Sequence, residues 1–504
     1  MSLLGIDVGT TGCKALVFSA SGQMLASVYA EYEIEQPQPD WAELDAGLVW
    51  DKVRDTVRRA LTDTRDPVNA LAVSSLGEAT VPVSADRNVL GPSILNFDAR
   101  GAEFVNGLRG RLPDMEVYRT TGNTVGNHLG LTKLQWIQKH QRALYDRAYK
   151  FLPWSTFVSF MLGADPCVDY SLANRTLLFD LERQEWSQSM LKAAELDEGK
   201  LPVVVPAGTP VGTVSPFVAE DLGLPPGVMI VAGAHDQCAT AVGAGAIAEG
   251  QAAFGMGTYI CITPTILRRP DPARMMERGL NTEHHAAPGR YVTFIYNQGG
   301  ILLKWFRDTF AAAEWQSAAQ TGREVYSALI AEMPEGPSEV YVLPHFTATG
   351  PPEFVEDSAG VIVGLRLGTS RGEILKGILE SAVFYLRESV VELPEVGLGV
   401  CEFRAVGGGS RSDRWLQICA DIMGQPFARP QLTEAGALGA AIIAGVGSGA
   451  FATFEEGVER MVRLERVFEP RPERRADYEG RFAQYRKLWP LMKDYLRDLR
   501  GRSG

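Results

Sequence analysis

Residues 3–18, LLGIDVGTTGCKALVF, set an Asp and a Gly-Thr-Thr turn between two apolar runs, and the pattern returns at Gly250–Thr263, GQAAFGMGTYICIT. Two such strand, turn, strand units half a chain apart leave few architectures open. Neither can bury both faces alone, so each must open its own sheet, and the spacing argues for two related domains facing a cleft. A length of 504 residues agrees, since a single hydrophobic core rarely grows beyond about 300 residues. The boundary is expected near residues 245–250, giving domains of 1–246 and 247–504.

The remaining periodicities predict an α/β fold. Leu3–Val8, Ala15–Ser19 and Gln23–Ala30 read as a meander, Ala46–Thr62 as an amphipathic helix and Leu71–Ser74 as a buried strand. Asn127–Lys139 and Ala143–Gly163 read as helices. Val228–Ala232 is an apolar strand entering Gly233-Ala-His-Asp-Gln237 and an Ala/Gly-rich helix, Cys238–Ala246. In the second half, Gly299–Arg307, Glu373–Leu386, Trp415–Met423 and Ala435–Gly447 read as helices, and the strand Phe403–Val406 runs into Gly407-Gly-Gly-Ser-Arg-Ser-Asp413. Arg471–Arg502 interleaves acids and aromatics with its basic residues and reads as a solvated amphipathic helix.

Several of these strand exits carry chemistry. Gly9-Thr10-Thr11 offers backbone N–H groups and two hydroxyls, with Lys14 on the next strand, which are the parts of a phosphate cradle. The same residues also suit a plain hairpin turn, because neither a Walker A run nor GxGxxG is present. The echo at Gly255–Thr258 and a third Gly-rich exit at Gly407–Ser410 favour three loops sharing one nucleotide. Asp236, between a strand and a helix, can take a proton from an alcohol attacking phosphorus, with Gln237 beside it; the plain alternative is a helix N-cap. Glu78 and the Asp98–Arg100 pair also follow strands, where a carboxylate binds vicinal hydroxyls or simply faces water. His235 reads as packing, and Trp136, Trp154, Trp305 and Trp415 as core aromatics.

Composition removes other classes. A net charge of −12 argues against a nucleic-acid partner, which needs a positive stripe. The longest apolar stretches, such as Val228–Ala234 and Ala435–Gly449, fall short of the roughly 18 apolar residues of a membrane span. No basic region leads into an apolar leader, which predicts a cytoplasmic protein. The six cysteines are scattered, without a CxxC pair or zinc-like spacing, and read as free thiols.

Taken together, Gly5-Ile-Asp-Val-Gly-Thr-Thr11, Gly233-Ala-His-Asp-Gln237 and Ala405-Val-Gly-Gly-Gly-Ser-Arg-Ser412 resemble the FGGY family of carbohydrate kinases. The family's two signature regions are also present in part. Lys133-Leu-Gln-Trp-Ile137 keeps the first, with Gly130 in place of the usual Pro, Ser or Thr. Gly360-Val-Ile-Val-Gly-Leu365 with Glu373-Ile374 and Ile378-Leu-Glu380 follows the second, with Gly377 in place of Ala or Ser. The resemblance implies two ribonuclease-H-like domains of the actin/hexokinase type around a central cleft. It implies ATP as donor and Mg²⁺ as cofactor, with Asp236 as the base that deprotonates a sugar hydroxyl. Asp7, with Asp236, would hold the metal. Thr10, Thr11 and Lys14 match the first phosphate loop, and Gly257 and Thr258 the second. Gly299, Gly300, Gly408, Gly409, Ser410 and Asp413 match the nucleotide wall. Homodimers are common in the family.

For the acceptor, Glu78, His128, Asp236 and Gln237 match substrate positions. Leu76-Gly77-Glu78-Ala-Thr80 falls where glycerol kinases have Gln-Arg-Glu-Thr-Thr, and His128 where they have Tyr, while the Met-His-Gly of xylulose kinases is absent. Gly77 in place of Arg implies room for an acceptor larger than glycerol. The expected reaction is phosphorylation of a ketose such as a pentulose. The alternatives are a polyol of the glycerol or erythritol type, or an actin- or chaperone-like ATPase switch.

Overall fold

The computed structural model describes residues 2–64, 66–321, 325–355 and 358–500. Its first sheet has six strands: β1 (Ser2–Val8), β2 (Gly12–Ser19), β3 (Met24–Glu31), β4 (Val68–Ser75), β5 (Pro210–Thr213) and β6 (Met229–His235), in the order β5-β6-β4-β1-β2-β3. β1, β2 and β3 form the antiparallel meander, while β4 lies parallel to β1 and β6 parallel to β4. The parallel trio therefore ends along one edge. That edge receives Asp7, the segment beyond Ser75, and Asp236, and ligands of such sheets gather at the carboxyl ends of the strands.

The second sheet repeats the opening. It contains β7 (Gln251–Met256), β8 (Tyr259–Ile266), β9 (Glu283–His284), β10 (Tyr291–Val292), β11 (Ile295–Gln298), β12 (Glu402–Val406), β13 (Phe427–Pro430) and β14 (Leu464–Phe468). β7 and β8 are an antiparallel hairpin, and β12 runs parallel to β7, so Gly407 leaves at the edge where Met256 turns.

The helices that frame the cleft are α1 (Ala46–Thr62), α2 (Asp236–Ala244), α3 (Gly300–Phe310), α4 (Arg371–Val390), α5 (Asp413–Met423) and α6 (Ala435–Gly447). Asp45 caps α1, accepting from the Leu48 N–H at 3.0 Å, and Val49, Val53 and Val57 bury its inner face. β1 is buried on both faces: Leu4, Ile6 and Val8 join the α1 side, and Leu3 joins the side covered by α6. α3, α4 and α5 share the second core with Phe254, Phe403 and Phe427.

α2 and α6 cross between the sheets. α6 belongs to the second half in sequence yet lies on β1, β4 and β6 of the first sheet, while α2 reaches Ala253 and Val406 of the second. Small residues allow it. A Cβ at Gly439 would lie 1.8 Å from the Ala239 carbonyl oxygen, and one at Gly243 2.0 Å from that of Ala435.

Three sequence expectations change. Ala143–Gly163 is not one helix but Arg142–Arg147, the strand Lys150–Pro153 and the helix Trp154–Leu162, because Lys150–Pro153 pairs with Thr80–Val83. The C-terminal stretch is two helices, Pro472–Tyr485 and Leu488–Arg500, the second carrying Pro490 in its first turn, where a missing N–H is tolerated. Residues 501 and 502 of that stretch lie outside the described residues. Trp154 and Trp415 are fully buried, but Trp136 and Trp305 are only half-buried.

Candidate active site

Asp7 lies near the end of β1 opposite Ser74, whose hydroxyl donates to Oδ1 at 2.8 Å. From the other side Gly436 approaches so closely that a Cβ there would stand 3.0 Å from Oδ2. Burial raises the Asp7 pKa, with Ser74 and Lys14 opposing the rise and Glu434 adding to it.

Asp236 is not the N-cap of α2; His235 holds that position and Asp236 opens the first turn, where the helix dipole favours its charge. Burial, then the charges of Asp7 and Glu78, push its pKa up to about 7, against hydrogen bonds from Gln237. A carboxylate so poised suits a base working near neutrality. His235 Nε2 lies 3.2 Å from Asp236 Oδ1. Burial and the nearby Arg175 cation hold His235 neutral, so this contact is a polar approach and not an ion pair. The His235 ring is buried and packs edge-on against Phe294, as a packing residue would.

The first turn is closed by the Gly9 N–H to the Gly12 carbonyl at 2.9 Å and pinned by the Tyr32 hydroxyl, 2.6 Å from the Gly9 oxygen. Thr10 is half-buried and Thr11 exposed at its tip. Lys14 is paired with Glu434, the residue before α6, rather than free. In the second turn the Gly257 and Thr258 carbonyls accept from Gly300 and Ile301 N–H groups, each at 3.0 Å. Gly300 is obligatory there, since a Cβ would meet the Gly257 oxygen at 2.5 Å. Gly299 and Gly300 are thus brought directly against Gly257 and Thr258.

In the third loop Gly407 adopts φ +86° beside Met256, and Gly408 faces open space. Gly409 packs on Trp415. Ser410 is buried with its hydroxyl on the Gly407 carbonyl at 2.7 Å, and Asp413 pairs with Arg429 at 2.7 Å and with Arg466. These two side chains shape the loop from within, while Gly408 is its open face.

At the acceptor end Glu78 has the left-handed φ of +44° and a nearly buried side chain. Its Oε1 accepts from Arg175, with Nε at 2.9 Å, and Arg175 in turn binds Glu283. His128 is solvent-accessible but ringed by protein; desolvation and the Arg175 and Lys133 cations lower its pKa to about 4. Gln237 Oε1 lies near Gly255 of the second hairpin, so it bridges toward the other domain.

Two expectations about this end are overturned. Gly77 does not leave open room, because a Cβ there would already stand 3.0 Å from Arg175 Cγ and 3.2 Å from the His235 ring. Asp98 and Arg100 neither face water nor await hydroxyls. They form a buried ion pair that also takes in Glu43, and Arg100 stacks on Trp41 at 3.9 Å. Lys133 of the first signature donates to the Asp98 and Arg100 carbonyls at 2.7 and 2.8 Å, so that motif is a structural latch. Sequence reasoning also missed Arg175, Glu283 and Glu434, which only long-range pairing brings to the cleft.

Two family models match the chain: the N-terminal domain of the FGGY family of carbohydrate kinases over residues 2–243, and its C-terminal domain over residues 253–448. The chain belongs to this family and is a phosphotransferase acting on a sugar or polyol, with the actin/hexokinase-type pair of domains. It is 28% identical to a xylulose kinase of Escherichia coli strain K12, over 97% of this chain and 99% of that one. It is 27% identical to a gluconokinase of Bacillus subtilis strain 168 (90% and 89% covered) and 30% identical to a glycerol kinase of Ralstonia nicotianae (93% and 94%). The solved xylulose kinase of Rhodospirillum rubrum superposes with a TM-score of 0.85 at 25% identity, covering 99% of this chain and all of that one. Identities so even leave the acceptor open. No helix among the described residues is long and apolar enough to cross a membrane.

Proposed function

We propose that the chain transfers the γ-phosphoryl group of ATP to a hydroxyl of an uncharged ketose, a pentulose, with Asp236 as general base. The carrying observation is the carboxylate of Asp236, raised to a pKa of about 7 at the strand edge it shares with Asp7 and Glu78. Asp236 accepts the proton of the attacking hydroxyl. Thr10, Thr11 and Lys14 on one side, with Gly257, Thr258, Gly299 and Gly300 on the other, hold the phosphates in line. Gly408 and Gly409 offer an open backbone wall to the nucleoside, and Ser410 and Asp413 set that wall. Lys14 reaches phosphate by exchanging its Glu434 partner. Asp7 and Asp236 fit Mg²⁺, since two carboxylates close enough for the charge of one to act on the other present the hard oxygen ligands it prefers. Bound there, Mg²⁺ supplies charge neutralisation for the transferring group.

Charge supports an uncharged acceptor. Glu78 and Glu283 share one guanidinium, Arg175, the Asp236 carboxylate lies close enough for the Glu78 charge to act on it, and His128 and His235 are held neutral. A carboxylate-bearing aldonate would meet net repulsion. The near end-to-end match with xylulose kinase supports the ketose, and a polyol is second, since Glu78 suits vicinal hydroxyls on either. A coupled ADP-release screen against pentuloses, hexuloses, polyols and gluconate tests this. Highest kcat/KM is expected with a pentulose; preference for gluconate, or ATP turnover without acceptor, refutes it.

A further inference from the structure

Arg175 lies in no motif, yet it is the hub of the acceptor end. It follows the short helix Tyr170–Asn174, and its side chain is only 12% exposed. It joins carboxylates from the two halves of the chain, Glu78 through Nε and Nη2 and Glu283 through Nη1. Glu283 is itself fixed by the Asn281 amide, 2.7 Å from the same oxygen that Arg175 uses. Only Oε1 of Glu78 is engaged, so among the described residues Oε2 has no protein partner.

The surrounding backbone is built to this arrangement. Glu78 holds a left-handed φ that a side-chain-bearing residue adopts only when its neighbours impose it. Gly130 presses on it, with Cβ space ending 2.8 Å from the Glu78 carbonyl, and the Gly130 N–H donates to the Arg175 carbonyl at 3.2 Å. Gly77 admits the Arg175 stem.

We propose that Arg175 is a positioning residue of the acceptor site: it anchors one oxygen of Glu78 so that the other meets the acceptor hydroxyls, and its pairing with Glu283 removes the cation that an anionic acceptor would need. The inference rests on the sugar-kinase reading above. Its structural logic is a fixed fork, which a lysine cannot reproduce.

The test is steady-state kinetics on the full chain with the acceptor found in the screen. Arg175→Ala and Arg175→Lys are expected to raise KM for the acceptor by about tenfold or more while KM for ATP stays within about twofold. Added methylguanidinium is expected to restore the acceptor KM of Arg175→Ala and leave the wild type unchanged. Glu283→Gln, which releases the guanidinium without deleting it, is expected to raise the gluconate-to-ketose ratio of kcat/KM by about tenfold. This arm decides the matter if Arg175→Ala fails to fold. Equal changes in both KM values, no rescue, or an unmoved ratio in Glu283→Gln would overturn the proposal. Absence of acceptor-dependent turnover in the wild type would instead refute the kinase reading beneath it.

Discussion

Gly439→Ala asks whether the crossing of α2 and α6 sets the catalytic geometry. The new methyl would lie 1.8 Å from the Ala239 carbonyl oxygen. A carbon approaches such an oxygen to about 3.3 Å, so the helices must part by about 1.5 Å at that point. Neither group can turn aside, because one is backbone and the other is fixed to it. Overpacking costs about 1–3 kcal/mol, against roughly 1 kcal/mol returned by the better helix propensity of Ala. The matched control is Gly107→Ala in the helix Ala102–Arg111, where a Cβ meets nothing within 4 Å. That substitution gains about 0.5–1 kcal/mol, so the two variants should melt on opposite sides of wild type. The kinetic effect follows from the same displacement. Asp236 opens α2, and Gly436, one turn before Gly439, touches Asp7. A misplacement of about 1 Å reduces rate by roughly 100-fold. Thermal unfolding by circular dichroism and coupled ADP release are the assays. A Gly439→Ala protein that melts no lower than the control and turns over like wild type would refute the reasoning.

Asp236→Asn keeps the shape of the base and removes its proton affinity, so kcat should fall by about 10²–10⁴, with affinity for metal-free nucleotide by calorimetry unchanged. The pKa of Asp236 is raised from 3.8 to about 7, so the base is protonated below neutrality. Acceptor kcat/KM should therefore decline as pH falls through 7, and Glu78→Gln, which removes one of the charges raising that pKa, should move the decline to lower pH. Arg100→Met leaves Asp98 and Glu43 as buried carboxylates without their cation, which should cost about 3–5 kcal/mol in denaturant titration; an unchanged midpoint would show the network to be dispensable.

Features with a local signal could be read from the chain alone. Gly-Thr turns between apolar runs specify hairpins, and a residue at the carboxyl end of a strand lies at that edge of its sheet, so the placement of Asp7, Asp236 and the three loops at strand ends was legible. The helices Ala46–Thr62 and Ala435–Gly447 were legible too, the first by its apolar periodicity and the second by its run of small and apolar residues. Partnership was not. Arg175 lies 97 residues from Glu78 and 108 from Glu283, and Lys14 lies 420 residues from Glu434. Nothing in spacing says that these charges meet. Asp98 and Glu78 look alike in sequence, each a carboxylate beyond a strand, and only the fold separates them, one sealed with Arg100 under Trp41 and the other held at the cleft. The vacancy implied by Gly77 was likewise filled by a side chain from a distant helix end. Local chemistry is written in consecutive residues, but the energy of a buried charge depends on what else is within a few ångströms, and that is decided when the sheets close on one another.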